Sequence, residues 1–297
     1  MPAFYACYDE NGAVSPSRAK LLARYLCDQG VAGLYVGGSS GECIYLSPDE
    51  RELILEAVVE EVGKEIIIIA HVACNNTKDS MRLAAHAEQL GVDAIAAIPP
   101  IYFRLPEPAI AQYWNDISSA APNTDFLIYN IPQLAGVALT ENLYREMLKN
   151  PRVIGVKNSS MATMDIERFK AIDQTRVIFN GPDEQYISGR IMGASGGIGG
   201  TYAAMVKLFL SLDSFLERGD LSQATALQSK ITDIIMVCAG VKGNLYAALK
   251  VVLKIRAGLE MGSVRKPLLG LQEGDYEQVQ RAAAMIDDAE RQYVSPN

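Results

Sequence analysis

Short apolar runs recur along the first two thirds of the chain, at 3–7, 33–37, 66–73, 94–99, 126–131, 153–157, 177–180 and 196–202. They are continuous, not alternating, so each predicts a strand buried on both faces, which is the signature of parallel pairing. Helical periodicity fills the gaps, for example at 79–90 and 141–149. Strand then helix, repeated eight times, predicts an α/β fold of the (β/α)8 TIM-barrel type. Ser47-Pro48-Asp49-Glu50 predicts a helix start, with a serine N-cap, a proline at the first helical position and a glutamate placed for a capping box. From about residue 206 the strand signal stops, and amphipathic segments follow at 208–217, 223–236, 245–257 and 276–293. One of these completes the barrel and about three remain, so we expect a barrel carrying the catalytic site over 1–220 and a C-terminal helical extension packed on it over 221–297.

Composition narrows the partners. With 297 residues, 49% of them hydrophobic and 21% charged, the chain can bury a full core. A net charge of -8 repels a phosphate backbone, so nucleic acid is not an expected partner. The five cysteines are odd in number and never spaced C-x-x-C, which argues against a disulfide framework and a zinc site. The first residues lack a basic segment leading into a long apolar stretch, and no apolar run approaches the roughly 18 residues that span a bilayer. The expectation is a soluble, cytoplasmic protein without membrane contacts.

The chemistry falls where barrel strands end. Lys157 closes the run Val153-Ile154-Gly155-Val156-Lys157, where lost hydration would favour the neutral amine and make it a nucleophile toward a ketone. The plain alternative is a lysine that snorkels to solvent or pairs with an acid. Tyr129 ends another run and could carry a proton, although a strand tyrosine alone is more often a core residue. Gly37-Gly38-Ser39-Ser40-Gly41-Glu42 offers flexible backbone, amides and two hydroxyls suited to a carboxylate, or simply a tight turn into a helix. The glycines of 193–200 miss the phosphate-loop and dinucleotide spacings, so close backbone packing explains them better. Asp183 and Glu184 follow the seventh run and could accept hydrogen bonds from sugar hydroxyls, though a helix start also favours acids. His71 and His86 have no third ligand at metal spacing and are read as structural or surface groups, with no metal expected.

Taken in order, Gly38-Ser39-Ser40-Gly41-Glu42, Tyr129-Asn130-Ile131-Pro132, Gly155-Val156-Lys157 and Gly181-Pro182-Asp183-Glu184 resemble the dihydrodipicolinate synthase and N-acetylneuraminate lyase family, over essentially the whole chain. Gly136-Val137, Asn180-Gly181 and Gly196-Gly197-Ile198-Gly199 place the resemblance nearer the lyase branch. It implies a class I aldolase that cleaves N-acetylneuraminate reversibly to N-acetylmannosamine and pyruvate. It also implies a Schiff base on Lys157, proton handling by Tyr129 and a carboxylate held by Ser39 and Ser40. Ser159, Gly181, Asp183 and Glu184 would line the sugar end, and Tyr102 would reach a neighbouring subunit's site in a homotetramer. No dissociable cofactor is implied. Where the synthase branch has an arginine after the tyrosine motif, this chain reads Gln133-Leu134-Ala135, so a guanidinium clamp for aspartate semialdehyde is missing. Ser159 replaces an expected threonine and Gly200 an expected serine at the sugar end, the second change removing one hydrogen-bonding group. The alternatives are another pyruvate aldolase of the same family, acting on a different 2-keto sugar acid or on aspartate semialdehyde, and a non-catalytic barrel that senses a keto acid.

Overall fold

The structure, a computed structural model, describes residues 1–294. Among these, seven parallel strands form one sheet whose spatial order follows the sequence: β1 Gly33–Val36, β2 Ile67–His71, β3 Ala94–Ala97, β4 Asp125–Asn130, β5 Val153–Asn158, β6 Val177–Asn180 and β7 Gly196–Gly197. Side chains alternate between two apolar environments, as the pleat requires. On one face Ala3, Tyr35, Ile69, Ala96, Leu127 and Tyr129 pack on one another as an inner core. On the other, Leu34, Val36, Ile68, Ile95, Ile128 and Val156 belong to the larger core that includes the helices. The continuous apolar runs thus reflect burial on both sides, with helices such as Pro48–Val62, Thr77–Gln89 and Glu107–Ser119 following the strands. The capping box forms as its sequence predicts, with the Glu50 amide donating to Ser47 Oγ at 3.3 Å and the Ser47 amide donating to Glu50 Oε2 at 2.9 Å.

The first expected strand, 3–7, departs from the prediction. Only single parallel bridges form, Pro2 opposite Gly199 and Ala3 opposite Tyr35. The Ala3 amide donates to Gly199 O at 2.9 Å and the Phe4 amide to Tyr35 O at 2.8 Å, so this segment touches both edges of the sheet and draws it into a curl. Beyond Phe4 the chain leaves the sheet, and the Tyr8 amide donates instead to Met261 O at 2.9 Å in the C-terminal region. The run at 196–202 likewise forms a strand only at Gly196 and Gly197, paired with Phe179 and Asn180, and beyond it adds the single bridge at Gly199.

After the sheet come helices Val206–Glu217, Leu221–Ala239, Leu245–Ala257 and Asp275–Tyr293. Residues 295–297 of the expected extension lie outside the described residues. Helix Leu245–Ala257 is tied to the loop after β1 by a buried ion pair, Lys250 to Glu42 at 2.8 Å, which holds the helix against the sheet's rim. Among the described residues, no helix is long and apolar enough to cross a membrane, and no group of three or more His, Cys, Asp or Glu is placed to hold a metal ion.

Candidate active site

Parallel register sets Tyr129 on β4 directly beside Lys157 on β5. Lys157 is 4% exposed. Its Nζ lies 4.0 Å from the centroid of the Tyr129 ring and 4.1 Å from that of Tyr35. Among the described residues no carboxylate forms an ion pair with it, so it neither snorkels nor pairs. Burial holds the amine down at about 7, with the charges of Asp183 and Cys43 pulling weakly the other way. A nucleophilic amine is therefore available near neutral pH. Burial also pushes the Tyr129 phenol up to about 12, with the Ser39 and Ser159 side chains acting against that rise. The phenol stays protonated, which suits a group that passes a proton on.

Backbone hydrogen bonds bring the strand ends together. The Ser159 amide donates to Asn130 O at 2.7 Å and the Gly181 amide to Asn158 O at 2.8 Å, while Asn130 Nδ2 donates to Asn158 Oδ1 at 2.7 Å. A side chain at Gly181 would force Ser159 away, because a Cβ would fall 1.9 Å from Ser159 Oγ and 2.8 Å from its Cα. The loop after β1 turns on Gly37, at φ +76°, into a short turn over Ser39–Gly41. Two side chains hold it. His71 Nδ1 lies 2.9 Å from Gly37 O, with the ring 5.9 Å from that of Tyr129, and Ser40 Oγ donates to Tyr246 Oη at 2.9 Å. Burial first, and the neighbouring Arg51 guanidinium second, keep the His71 imidazole well below its usual range, so it is neutral and structural. His86 sits on the helical layer, 2.9 Å from Glu56 Oε1.

The paired acids diverge. Asp183 is buried, and its Oδ2 accepts from the Thr201 amide at 2.7 Å and from Thr201 Oγ1 at 2.6 Å. Its Oδ1 is buried without a partner, and burial pushes the carboxyl up to about 7. Glu184 is exposed. Gly200 lies beside Ser40 and Tyr246, since a Cβ there would stand 3.1 Å from each hydroxyl. Tyr102 does not join this cluster within the chain: it is 91% exposed, at φ +88°, edge-on to Phe103 at 5.1 Å. Sequence reasoning passes over Tyr35 and Tyr246. Tyr35 was within reach, because it shares the inward face with the runs that end in Tyr129 and Lys157. Tyr246 gave no signal, being the second residue of an ordinary amphipathic helix.

The family model described as the dihydrodipicolinate synthetase family matches residues 1–286. The chain belongs to the dihydrodipicolinate synthetase family. Among its relatives, the Mediterraneibacter gnavus N-acetylneuraminate lyase is 58% identical over 295 residues, covering 99% of this chain and 94% of that one. The Escherichia coli N-acetylneuraminate lyase is 34% identical and covers 90% of this chain and 89% of that one. Of solved structures, the wild-type Ruminococcus gnavus sialic acid aldolase superposes with a TM-score of 0.98 at 58% identity, covering 99% and 98% of the two chains. A Clostridium difficile structure in complex with mannosamine gives 0.89 at 30% identity, covering 98% and 97%. The family match thus extends past the sheet into the helices after β7, as far as residue 286.

Proposed function

We propose that this member of the dihydrodipicolinate synthetase family is a class I aldolase that cleaves N-acetylneuraminate reversibly to N-acetylmannosamine and pyruvate. The observation that carries the reading is Lys157, a buried amine that forms no ion pair among the described residues, held at about 7 beside the Tyr129 phenol. The relatives named as N-acetylneuraminate lyases supply the substrate class. In this mechanism the neutral Lys157 amine adds to the C2 ketone of the open-chain sugar acid, and water leaves to give a protonated imine. The C3–C4 bond then breaks, its electron pair passing to the imine nitrogen as an enamine forms. The C4 hydroxyl loses its proton as it becomes the aldehyde. Tyr129, which stays protonated, takes that proton while releasing its own to a neighbouring hydroxyl, Ser39 or Ser159, which in turn passes its proton to solvent, and so acts as a relay. Protonation of the enamine at C3 and hydrolysis release pyruvate and regenerate the amine. Because the imine itself receives the electrons, these steps call on no metal or dissociable cofactor.

In this assignment Ser39 and Ser40 hold the carboxylate, and Ser159, Gly181, Asp183, Glu184 and Gly200 line the sugar end. We further read the curled sheet as a (β/α)8 barrel over 1–220, with the bridging segment at its N-terminus as the eighth stave and 221–297 as the helical extension. The assembly is a cytoplasmic homotetramer in which Tyr102 enters a neighbour's site. The test is pyruvate release from N-acetylneuraminate, coupled to lactate dehydrogenase. We expect turnover on the order of 1 to 1,000 per second, lost in Lys157→Ala. No pyruvate from the wild-type protein would overturn the substrate, and substantial turnover in the variant would overturn the Schiff base.

A further inference from the structure

The helix Leu245–Ala257 reaches the reactive end of the sheet at two points one turn apart. At the first, Tyr246 Oη accepts from Ser40 Oγ at 2.9 Å; among the described residues it makes no other hydrogen bond, so its own hydrogen is free. At the second, Lys250 Nζ donates to Glu42 Oε1 at 2.8 Å, with the two side chains 1% and 0% exposed. Glu42 Oε2 accepts from Tyr8 Oη at 3.0 Å and from the Arg265 amide at 2.7 Å, and Lys250 also donates to Ser263 O at 2.8 Å. A buried pair this fully hydrogen-bonded fixes geometry, because separating the two charges would leave each one buried without its counter-ion. It locks Glu42, at φ +57°, and with it the loop that carries Ser39 and Ser40. The third wall is Gly200, whose carbonyl accepts from Tyr5 Oη at 2.7 Å. Its missing side chain leaves space against both hydroxyls, since a Cβ would lie 3.1 Å from Ser40 Oγ and 3.1 Å from Tyr246 Oη.

We infer that Tyr246 is a positioning residue of the carboxylate cradle, acting through Ser40, and that the Glu42–Lys250 pair holds the two hydroxyls in register. This rests on the reading that the cradle takes the carboxylate of a keto acid. When the anion arrives, Ser40 turns its hydrogen from Tyr246 to the carboxylate, and Tyr246 donates its free hydrogen to the Ser40 oxygen. No covalent bond changes. Ser40 then donates to an anion while accepting from a phenol, and such a chain is stronger than an isolated serine because each bond polarises the next. Without the Tyr246 hydroxyl, Ser40 would donate with its lone pairs unsupported. The effect is specific to an anionic ligand, which separates it from general support of the fold.

Borohydride trapping on Lys157 tests this with two ketones, pyruvate and its neutral methyl ester. Tyr246→Phe should raise the half-saturating pyruvate concentration about five- to tenfold, leave that of methyl pyruvate within about twofold, and keep the trapping rate at saturation. Gly200→Ala pushes a methyl against the same two hydroxyls and should give the same selective loss by a different route. A pyruvate-to-ester ratio that stays at the wild-type value in either soluble variant overturns the inference, as does an equal shift for both ketones. If the wild-type protein itself takes no pyruvate adduct, the Schiff-base reading fails first and this inference falls with it.

Discussion

A lysine held at about 7 is partly neutral where an ordinary one, near 10.5, is almost wholly charged, and the difference comes from burial. Trapping of pyruvate at saturation should therefore rise with pH through a midpoint near 7 if measured with cyanoborohydride; a midpoint above 9 would mean that the amine is hydrated. The same shift acts on stability. Between about 7 and 10.5 the unfolded chain holds the Lys157 proton and the folded one does not, so stability rises with pH across that window and the full penalty applies below it. Asp183 has the opposite sign: raised from 3.8 to about 7, it holds a proton in the fold that the unfolded chain has lost, so stability falls as pH climbs between those values. Urea midpoints across pH should show Lys157→Met removing the upper slope and Asp183→Asn the lower one. Both residues were legible in the sequence, yet unequally. Lys157 and Tyr129 stand out because a polar group ending an apolar run has few other reasons to be there. Asp183 reads as a pocket acceptor, but Thr201 occupies one of its oxygens, and no spacing rule reveals that a threonine 18 residues on will do so.

Strands and helices were legible wherever burial and pairing coincide. At 3–7 they separate: Phe4, Tyr5, Ala6 and Cys7 are all buried, but the chain past Phe4 hydrogen-bonds to the C-terminal region in place of a neighbouring strand, so an apolar run signals a core without signalling a ladder. Helix 245–257 has the bounds its periodicity predicts, while its role does not show in periodicity at all, because Lys250 meets Glu42 across 208 residues of sequence. The Gly155 position tests the β5–β6 contact directly. It pairs with Val177, and a Cβ there would lie 1.8 Å from Val177 O, so the strands approach only because the side chain is absent. Gly155→Ala must part the strands and should destabilise the protein by about 3 kcal/mol in denaturant unfolding. Lys157 is two residues further on the same face, so pyruvate trapping at saturation should fall as well. A loss under about 0.5 kcal/mol would show that β5 and β6 part there without strain.

At the scale of the molecule, the open question is what covers the loop after β3. Tyr102 and Phe103 are 91% and 72% exposed and meet edge to face, and Tyr102 holds a left-handed φ of +88° that a non-glycine residue seldom adopts without support. Leu134, in the one-turn helix Pro132–Ala135 after β4, and Met161, after β5, are also more than half exposed. Apolar side chains gathered at one end of a sheet mark a surface that another molecule covers. A second copy of the chain is the occupant that the proposed homotetramer supplies. Sedimentation equilibrium should then give about four times the 32.2 kDa of the chain. Phe103→Asp, which places a charge in that contact, should lower the mass and the turnover together. Tyr102→Phe separates the two effects: it keeps the ring that packs and removes the hydroxyl that would join the neighbour's proton relay. Its mass should stay at the wild-type value while turnover drops on the order of a hundredfold. A monomer with full turnover would remove the tetramer from the mechanism, and an intact tetramer with unimpaired Tyr102→Phe would reduce Tyr102 to a packing residue.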